Sequence, residues 1–449
     1  MPTFHIKTYG CQMNERDSEA LACLLEQRGY TETSSEENAD VLIFNTCSVR
    51  DQAERKAIGK VGFMKKYKQH RPGLVIGIIG CMAQNHGAEL LRELPVLDFV
   101  AGTDQLHRVP DIIDDIRDGA AGRTVADELD RVIRPELDAH RQGAVCAQVA
   151  VMRGCDQFCS YCIVPHTRGR EKSRPIPAIV DEVRRLVDGG TREILLLGQN
   201  ITAYGVAEAR REGRYKPDSF SEFADLLRAL NDLDGLARIR FTSPHVHFMN
   251  DPFVQAIAEL PKVCKCFHIP LQSGSDRILK LMRRSYTRDE YLDRIDAIRS
   301  RIPDVNFTTD VIVGFPTESE DDFQQTRDLM NAVVFDMAYI FRYSPRQGTK
   351  SAADLPDDVP EETKHLRNQL LLADLEGGAA ARNARFRDTI QEVLVEGVSK
   401  RNPQRWTGRT TLNKVVNFLP QPDTKPGDLL PLRITRTTAN SLFGEIVVG

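Results

Sequence analysis

The sequence predicts an α/β protein in three parts: an N-terminal parallel-sheet α/β domain, a central partial (β/α)6 barrel and a small C-terminal β-barrel. Three observations carry this. In the first hundred residues, near-continuous apolar runs alternate with helical stretches rich in Glu, Leu and Ala, as strands buried on both faces of a parallel sheet require. Between 144 and 372, six further apolar runs alternate with helical segments, which suits an open barrel with its site at the C-terminal ends of the strands. Beyond them come short strands broken by Gly, Pro and Asn, the pattern of a small barrel.

The first three runs, 4–11, 41–47 and 74–81, each end in a cysteine. Parallel α/β sheets bind ligands outside the carboxyl ends of their strands. Cys11, Cys47 and Cys81 are therefore expected to converge at one edge, although 36 and 34 residues separate them. A single strand-end cysteine reads as readily as a small buried hydrophobe; three at one topological place favour a ligand set. This domain is assigned to 1–118, followed by a polar linker, 119–143. The linker contains Asp138-Ala-His-Arg-Gln-Gly143, a match to the D-x-H-x-x-G pattern of cobalamin-binding domains. Without a complete α/β domain around it, the match is set aside.

The central domain, 144–372, has strand candidates at 145–152, 193–197, 237–242, 266–271, 306–313 and 337–343. Gln199 and Asn200, Gln272 and Ser273, and Gly314 and Glu318 follow these strands. They are candidates for ligand contact, because glycine admits a close backbone approach and amides and hydroxyls hydrogen-bond without charge. The last part, 373–449, has strand candidates at 390–396, 406–409, 414–418, 429–434 and 441–448.

Composition fits a soluble chain of 449 residues, with 41% hydrophobic and 28% charged residues. Residues 1–30 hold no long apolar run, so neither a signal peptide nor a membrane span is expected. Ten cysteines then point to metal or redox chemistry rather than disulfides, in a reducing cytoplasm. The net charge of −4 argues against a nucleic-acid partner until the chain is divided. Residues 382–449 carry 11 Lys+Arg against 6 Asp+Glu, whereas 1–118 and 119–381 are both net acidic. In that tail Arg401, Arg405, Arg409 and Lys414 fall together with the only tryptophan, Trp406. A basic strip with an aromatic suits RNA, through phosphate contacts and base stacking. Trp406 as barrel core is the competing reading.

The most specific chemistry lies in Arg153-Gly-Cys-Asp-Gln-Phe-Cys-Ser-Tyr-Cys162, where Cys155, Cys159 and Cys162 are spaced x3 and x2. A [4Fe–4S] cluster has four irons, each wanting a thiolate, so three cysteines leave one iron open. No nearby Cys or His completes a zinc set at the usual spacing. The pattern resembles the radical S-adenosylmethionine (radical SAM) enzymes, in which the open iron chelates S-adenosylmethionine. Tyr161 stands where that family places a ring near the adenine. Cys23, Cys146, Cys264 and Cys266 are expected to pack rather than ligate.

Over its whole length the chain resembles the radical SAM methylthiotransferases. Thr8-Tyr-Gly-Cys-Gln-Met-Asn-Glu15, Asn45-Thr-Cys-Ser-Val-Arg50, Gly80-Cys-Met-Ala-Gln84 and Val395-Glu-Gly-Val-Ser-Lys400 carry the likeness. Ser243-Pro-His-Val-His247 departs from it, where a second proline is expected. The resemblance implies a central radical SAM barrel and a C-terminal RNA-binding TRAM barrel. It also implies two [4Fe–4S] clusters, the radical-generating one on Cys155, Cys159 and Cys162 and an auxiliary one on Cys11, Cys47 and Cys81. S-adenosylmethionine would serve as radical source and methyl donor, with Tyr161, Gln199, Asn200, Gln272, Ser273, Gly314 and Glu318 as its candidate contacts. The implied substrate is isopentenyladenosine in the anticodon stem-loop of tRNA, methylthiolated at C2. The implied electron donor is a one-electron reductant such as flavodoxin or ferredoxin, and no membrane is involved. The C2–H bond has no acidity for a base to exploit, so no catalytic side chain is expected outside the cluster ligands. Two alternatives act elsewhere: on a ribosomal-protein aspartate, or on threonylcarbamoyl-adenosine in tRNA. A third is a non-catalytic iron–sulfur RNA-binding protein, which cleavage of S-adenosylmethionine on reduction would exclude.

Overall fold

A computed structural model describes residues 1–48, 51–120, 123–125, 140–141 and 143–447. Most of the linker 119–143, Asp138 included, and Val448 lie outside the described residues. The N-terminal sheet comprises β1 (Thr3–Tyr9), β2 (Thr31–Glu32), β3 (Val41–Thr46), β4 (Val75–Gly80), β5 (Phe99–Ala101) and β6 (Arg123–Val125). Its order is β2-β1-β3-β4-β5-β6, and every pair is parallel. β3 and β4 are buried throughout because helices cover both faces. Leu21 and Leu25 of helix Gln12–Gln27 pack with Ile43 and Ile79 on one side; Val61 and Met64 of helix Asp51–His70 pack with Phe44 and Ile78 on the other. The pairing of β6 with β5 carries this domain past 118, so the expected boundary falls one strand early. The three residues Arg-Thr-Val offer no apolar run by which to find that strand.

The central domain holds β7 (Cys146–Ala150), the short antiparallel pair β8 (Met152–Arg153) and β9 (Lys172–Ser173), then β10 (Glu193–Leu197), β11 (Arg238–Phe241), β12 (Cys266–His268), β13 (Asn306–Val313) and β14 (Met337–Arg342). Two parallel sheets, β7-β10-β11 and β12-β13-β14, are joined by a bridge from Ile239 to Val263. The result is an open six-stranded barrel with β7 and β14 at its free edges. Val149, Leu196, Ile239, Phe267 and Phe307 face outward into the surrounding helices, where Ile179, Val183 and Leu227 complete the core. The expected boundary at 372 falls inside the continuous helix Glu361–Ala384. Leu371 of that helix belongs to the central core, and Asn368 Nδ2 donates to Ile340 O at 2.8 Å.

The C-terminal part is a closed barrel of β15 (Ile390–Val398), β16 (Trp406–Thr410), β17 (Val415–Phe418), β18 (Leu429–Thr437) and β19 (Leu442–Ile446). Val393, Val395, Val416, Phe418, Leu432 and Leu442 fill it. This barrel closes the N-terminal end of the central one. Arg238, at the start of β11, donates to the Arg409 and Glu392 carbonyls. Arg240 Nη2 donates to Thr410 O at 2.8 Å, and Asn306 Nδ2, at the start of β13, to Leu412 O at 2.9 Å. Among the described residues, no helix is long and apolar enough to cross a membrane.

Candidate functional site

The two cysteine triads are built by different local rules and meet at one place. In the N-terminal sheet, Tyr9 of β1 pairs with Thr46 of β3, and Thr46 pairs with Gly80 of β4. Cys47 and Cys81 follow their partners directly and Cys11 follows Tyr9 after one glycine, all at the carboxyl ends of adjacent strands. Cys47 hydrogen-bonds to both neighbours. That is the largest cause lowering the Cys11 thiol to about 6 and Cys81 to about 5, with Arg168 adding to both against burial. The same bonds push the Cys47 thiol up.

Two asparagines shape this edge. Asn14 Oδ1 accepts from the Cys11 amide at 3.4 Å and from its thiol at 3.3 Å, while Asn14 Nδ2 donates to Asn45 Oδ1 at 2.9 Å. Asn45 Nδ2 returns a bond to Asn14 O at 2.8 Å. Both side chains are fully buried. Neither is among the candidates that the sequence singles out, although both stand in the cysteine motifs.

The second triad sits on a loop pinned by the β8–β9 pair. Gly154, at φ 79°, lies so close to the returning chain that a Cβ would stand 2.1 Å from Arg170 O. Cys155 N donates to Gly169 O at 3.1 Å, and Cys162 N to Cys159 O at 3.0 Å. Burial pushes the Cys155 thiol up and that of Cys162 to about 12. The half-buried Arg284 reaches this triad, with Nη1 donating to Cys159 Sγ at 3.4 Å and Nε to Tyr286 Oη at 3.0 Å.

Three contacts bring the triads together. Cys11 and Met13 pack against Ala150 and Leu197, at the ends of β7 and β10. Helix Val164–Arg168, which continues the second cysteine loop, packs on helix Cys81–His86. Asp17, wholly buried, takes Arg168 Nη2 at 2.9 Å and Arg153 Nη2 at 2.7 Å. None of the six cysteines is in a disulfide. Among the described residues, no group of three His, Cys, Asp or Glu side chains is placed to hold a single metal ion.

The other candidate residues separate into groups. Tyr161 packs with Phe315, Tyr343 and Met282, and burial raises its hydroxyl pKa. Gln199 Oε1 accepts from Gly154 N at 2.6 Å, and Asn200 Nδ2 donates to Glu171 Oε1 at 3.2 Å, so both brace the cysteine loop. Glu171, absent from the candidates, is pushed up to about 7 by burial. Gln272 turns the chain at φ 68°, beside β13. Gly314, at φ 69°, leaves room for Lys364, whose Cγ a Cβ would meet at 2.3 Å. Ser273 and Glu318 are internal instead. The Ser273 hydroxyl is fully buried, 3.2 Å from Thr326 Oγ1, and Glu318 Oε2 takes Gly314 N at 2.6 Å and Arg367 Nη1 at 2.8 Å. His140, from the cobalamin-like match, is bound through Nε2 to Glu182 Oε1 at 2.6 Å.

In the tail, Arg401 is exposed and Arg405 lies over the Phe443 ring, its guanidinium 5.9 Å from the centroid. Arg409 Nε is tied to Glu396 at 2.7 Å. Lys414 Nζ is tied to Asp336 at 2.9 Å and nearly buried, so its charge faces the central domain rather than a ligand. Trp406 is half-buried against the barrel core.

Comparison with known proteins matches three family models: the uncharacterized protein family UPF0004 over 3–102, the radical SAM superfamily over 149–330 and the TRAM domain over 385–447. The tRNA-2-methylthio-N(6)-dimethylallyladenosine synthases of Opitutus terrae and Akkermansia muciniphila are each 46% identical to this chain. The first alignment covers 100% of this chain and 98% of the relative; the second covers 99% and 98%. The synthase of Syntrophotalea carbinolica is 44% identical over the full length of both. Among solved structures, the radical S-adenosylmethionine methyltransferase TsrM from Kitasatospora setae, with cobalamin and a [4Fe-4S] cluster bound, has a TM-score of 0.55. That match covers 78% of this chain and 74% of the other at 13% identity, a likeness of fold alone.

Proposed function

We propose a function for this chain from its kinship: it belongs to the tRNA-2-methylthio-N(6)-dimethylallyladenosine synthase family, and it adds a methylthio group to C2 of N6-isopentenyladenosine next to the anticodon of tRNA. The observation that carries this reading is the meeting of two three-cysteine sets at one barrel mouth. Each set leaves one iron of a [4Fe–4S] cluster without a protein ligand. Cys155, Cys159 and Cys162 would hold the cluster that binds S-adenosylmethionine; Cys11, Cys47 and Cys81 would hold the auxiliary one. Bound there, clusters and S-adenosylmethionine supply a radical able to remove an unactivated hydrogen and a soft site able to deliver sulfur.

The chain's own residues position these groups. Gln199, Asn200 and Glu171 fix the cysteine loop, Asn14 and Asn45 fix the sheet edge, and Asp17 locks one to the other through Arg153 and Arg168. The packing of Met13 and Cys11 on Ala150 and Leu197 seats the sheet edge on the ends of β7 and β10. Electrons would come from a one-electron carrier such as flavodoxin or ferredoxin, in a cytoplasmic setting.

The test offers reconstituted protein three tRNAs carrying isopentenyladenosine, threonylcarbamoyl-adenosine or unmodified adenosine, and looks for a methylthio mass increase in the digests. Burying a five-carbon tail at about 25 cal/mol per Å² adds roughly 2–3 kcal/mol of preference for the first. Equal activity on unmodified adenosine, or preference for the threonylcarbamoyl form, overturns the substrate assignment. Failure of reduced protein to cleave S-adenosylmethionine overturns the reaction class.

A further inference from the structure

One guanidinium lies between the two cysteine sets and is only half used. Arg168 ends helix Val164–Arg168, six residues after Cys162, so it belongs to the radical loop. Yet its partner, Asp17, is on helix Gln12–Gln27, which starts directly after Cys11. Its own helix packs on helix Cys81–His86. Arg168 is 5% exposed, and its Nη1 is buried with no hydrogen-bond partner. A buried charged donor with an unmade bond keeps its desolvation penalty, so such a group calls for an acceptor. Asp17 also receives Arg153, so its carboxylate is shared between the two guanidiniums. Burial works against the Arg168 charge, but Cys81 and Asp17 more than offset it.

We infer that Arg168 is a positioning residue for the auxiliary site: its open Nη1 donates to anionic sulfur, hydrosulfide or a thiolate, held at the Cys11–Cys47–Cys81 set. The inference rests on the proposed presence of a cluster on that set. Net charge and hydrogen bonds to sulfur set a cluster's reduction potential, so Arg168 also raises the potential there. Its position after Cys162 ties this effect to the placement of the radical loop.

The test uses the full chain with Cys155, Cys159 and Cys162 changed to Ala, which leaves only the auxiliary set. Iron content, midpoint potential by spectroscopically monitored titration, and perturbation of the reduced cluster's EPR signal by added sodium hydrosulfide are measured with Arg168, Arg168→Gln and Arg168→Lys. Arg168→Gln should lower the potential by about 59 mV, a tenfold change for one electron, and weaken hydrosulfide binding about tenfold. Arg168→Lys keeps the charge but loses the second donor, so it should restore the potential and not the binding. Unchanged potential and unchanged hydrosulfide affinity in a loaded Arg168→Gln protein overturn the role. Should Arg168→Gln fail to load iron, Arg168→Lys decides, and unchanged hydrosulfide affinity there overturns it equally. Absence of iron when Arg168 is intact instead overturns the cluster assignment.

Discussion

At Gly80 the backbone takes φ 91°, and a Cβ there would stand 2.4 Å from Asn45 Oδ1 and 2.8 Å from Thr46 O. The chain has to turn sharply at this point so that Cys81 faces Cys47, and the asparagine pair fills the space a side chain would need. Gly80→Ala should therefore cost more than the roughly 1–3 kcal/mol of strain at a backbone conformation open essentially to glycine alone, because Asn45 must also give up its bonds to Asn14 and Ser18. The expected outcome is a lower melting temperature and, with the second cluster proposed for this edge, iron per reconstituted chain falling toward half. Retention of full iron would show that the sheet edge does not need this packing. The cysteines themselves are legible in the sequence, because three thiols at strand ends have few other uses there. Their supports are not. Nothing in the polar residues after a strand tells Gln199, which braces Gly154, from Ser273, which is turned inward to Thr326.

Long apolar runs mark the main strands of the N-terminal sheet and the central barrel, since a strand buried on both faces leaves an uninterrupted signature. β6 escapes because its residues, Arg-Thr-Val, do not form such a run. The helix Glu361–Ala384 defeats a boundary drawn from sequence because one element serves two neighbours: Leu371 packs into the central core, while Asn383 Nδ2 donates to Thr438 O of the small barrel at 2.8 Å. The linker holds another such joint. His140 lies between Glu182 of the central domain and Glu19 of the N-terminal one, at 2.6 Å and 3.6 Å. Burial opposes the His140 charge, but the hydrogen bond to Glu182 and the nearby Glu19 carboxylate prevail and raise its pKa above 6.5. A raised pKa contributes stability that is fully present below 6.5 and is lost as pH rises through the folded value. Thermal melts should thus show the domain joint weakening as pH rises above about 6.5. In His140→Gln this pH dependence should vanish; if it persists unchanged, another group holds the joint.

At the scale of the molecule, the small barrel is both an RNA-binding candidate and a structural plug, and the two roles use different residues. Arg238 and Arg240 hold the plug by donating to backbone carbonyls of β15 and β16. Removing 386–449 takes away those acceptors and uncovers the N-terminal end of the central barrel, so apolar packing and buried hydrogen bonds are both lost there. The truncated chain should melt earlier, so loss of its S-adenosylmethionine cleavage would not by itself assign chemistry to the barrel. An unchanged melting temperature would refute the plug.

RNA affinity has to be tested where the plug is untouched, and Arg401 and Arg405 meet that condition. Arg401 is exposed, and Arg405 is held by the Phe443 ring beside Arg436, whose guanidinium lies 3.6 Å from the same centroid. Arg409 and Lys414 do not qualify, since their bonds to Glu396 and Asp336 make their loss a structural change. Charge reversal at Arg401 and Arg405 should weaken tRNA binding, and the slope of log affinity against log salt should fall by about one for each phosphate no longer neutralised. The reductive cleavage of S-adenosylmethionine should stay at its original value, because neither residue touches the cysteine sets or the barrel joint, and the exposed Arg401 alone should leave the melting temperature unchanged. Equal tRNA affinity at every salt concentration would remove the basic strip from the RNA surface and leave the barrel with its structural role.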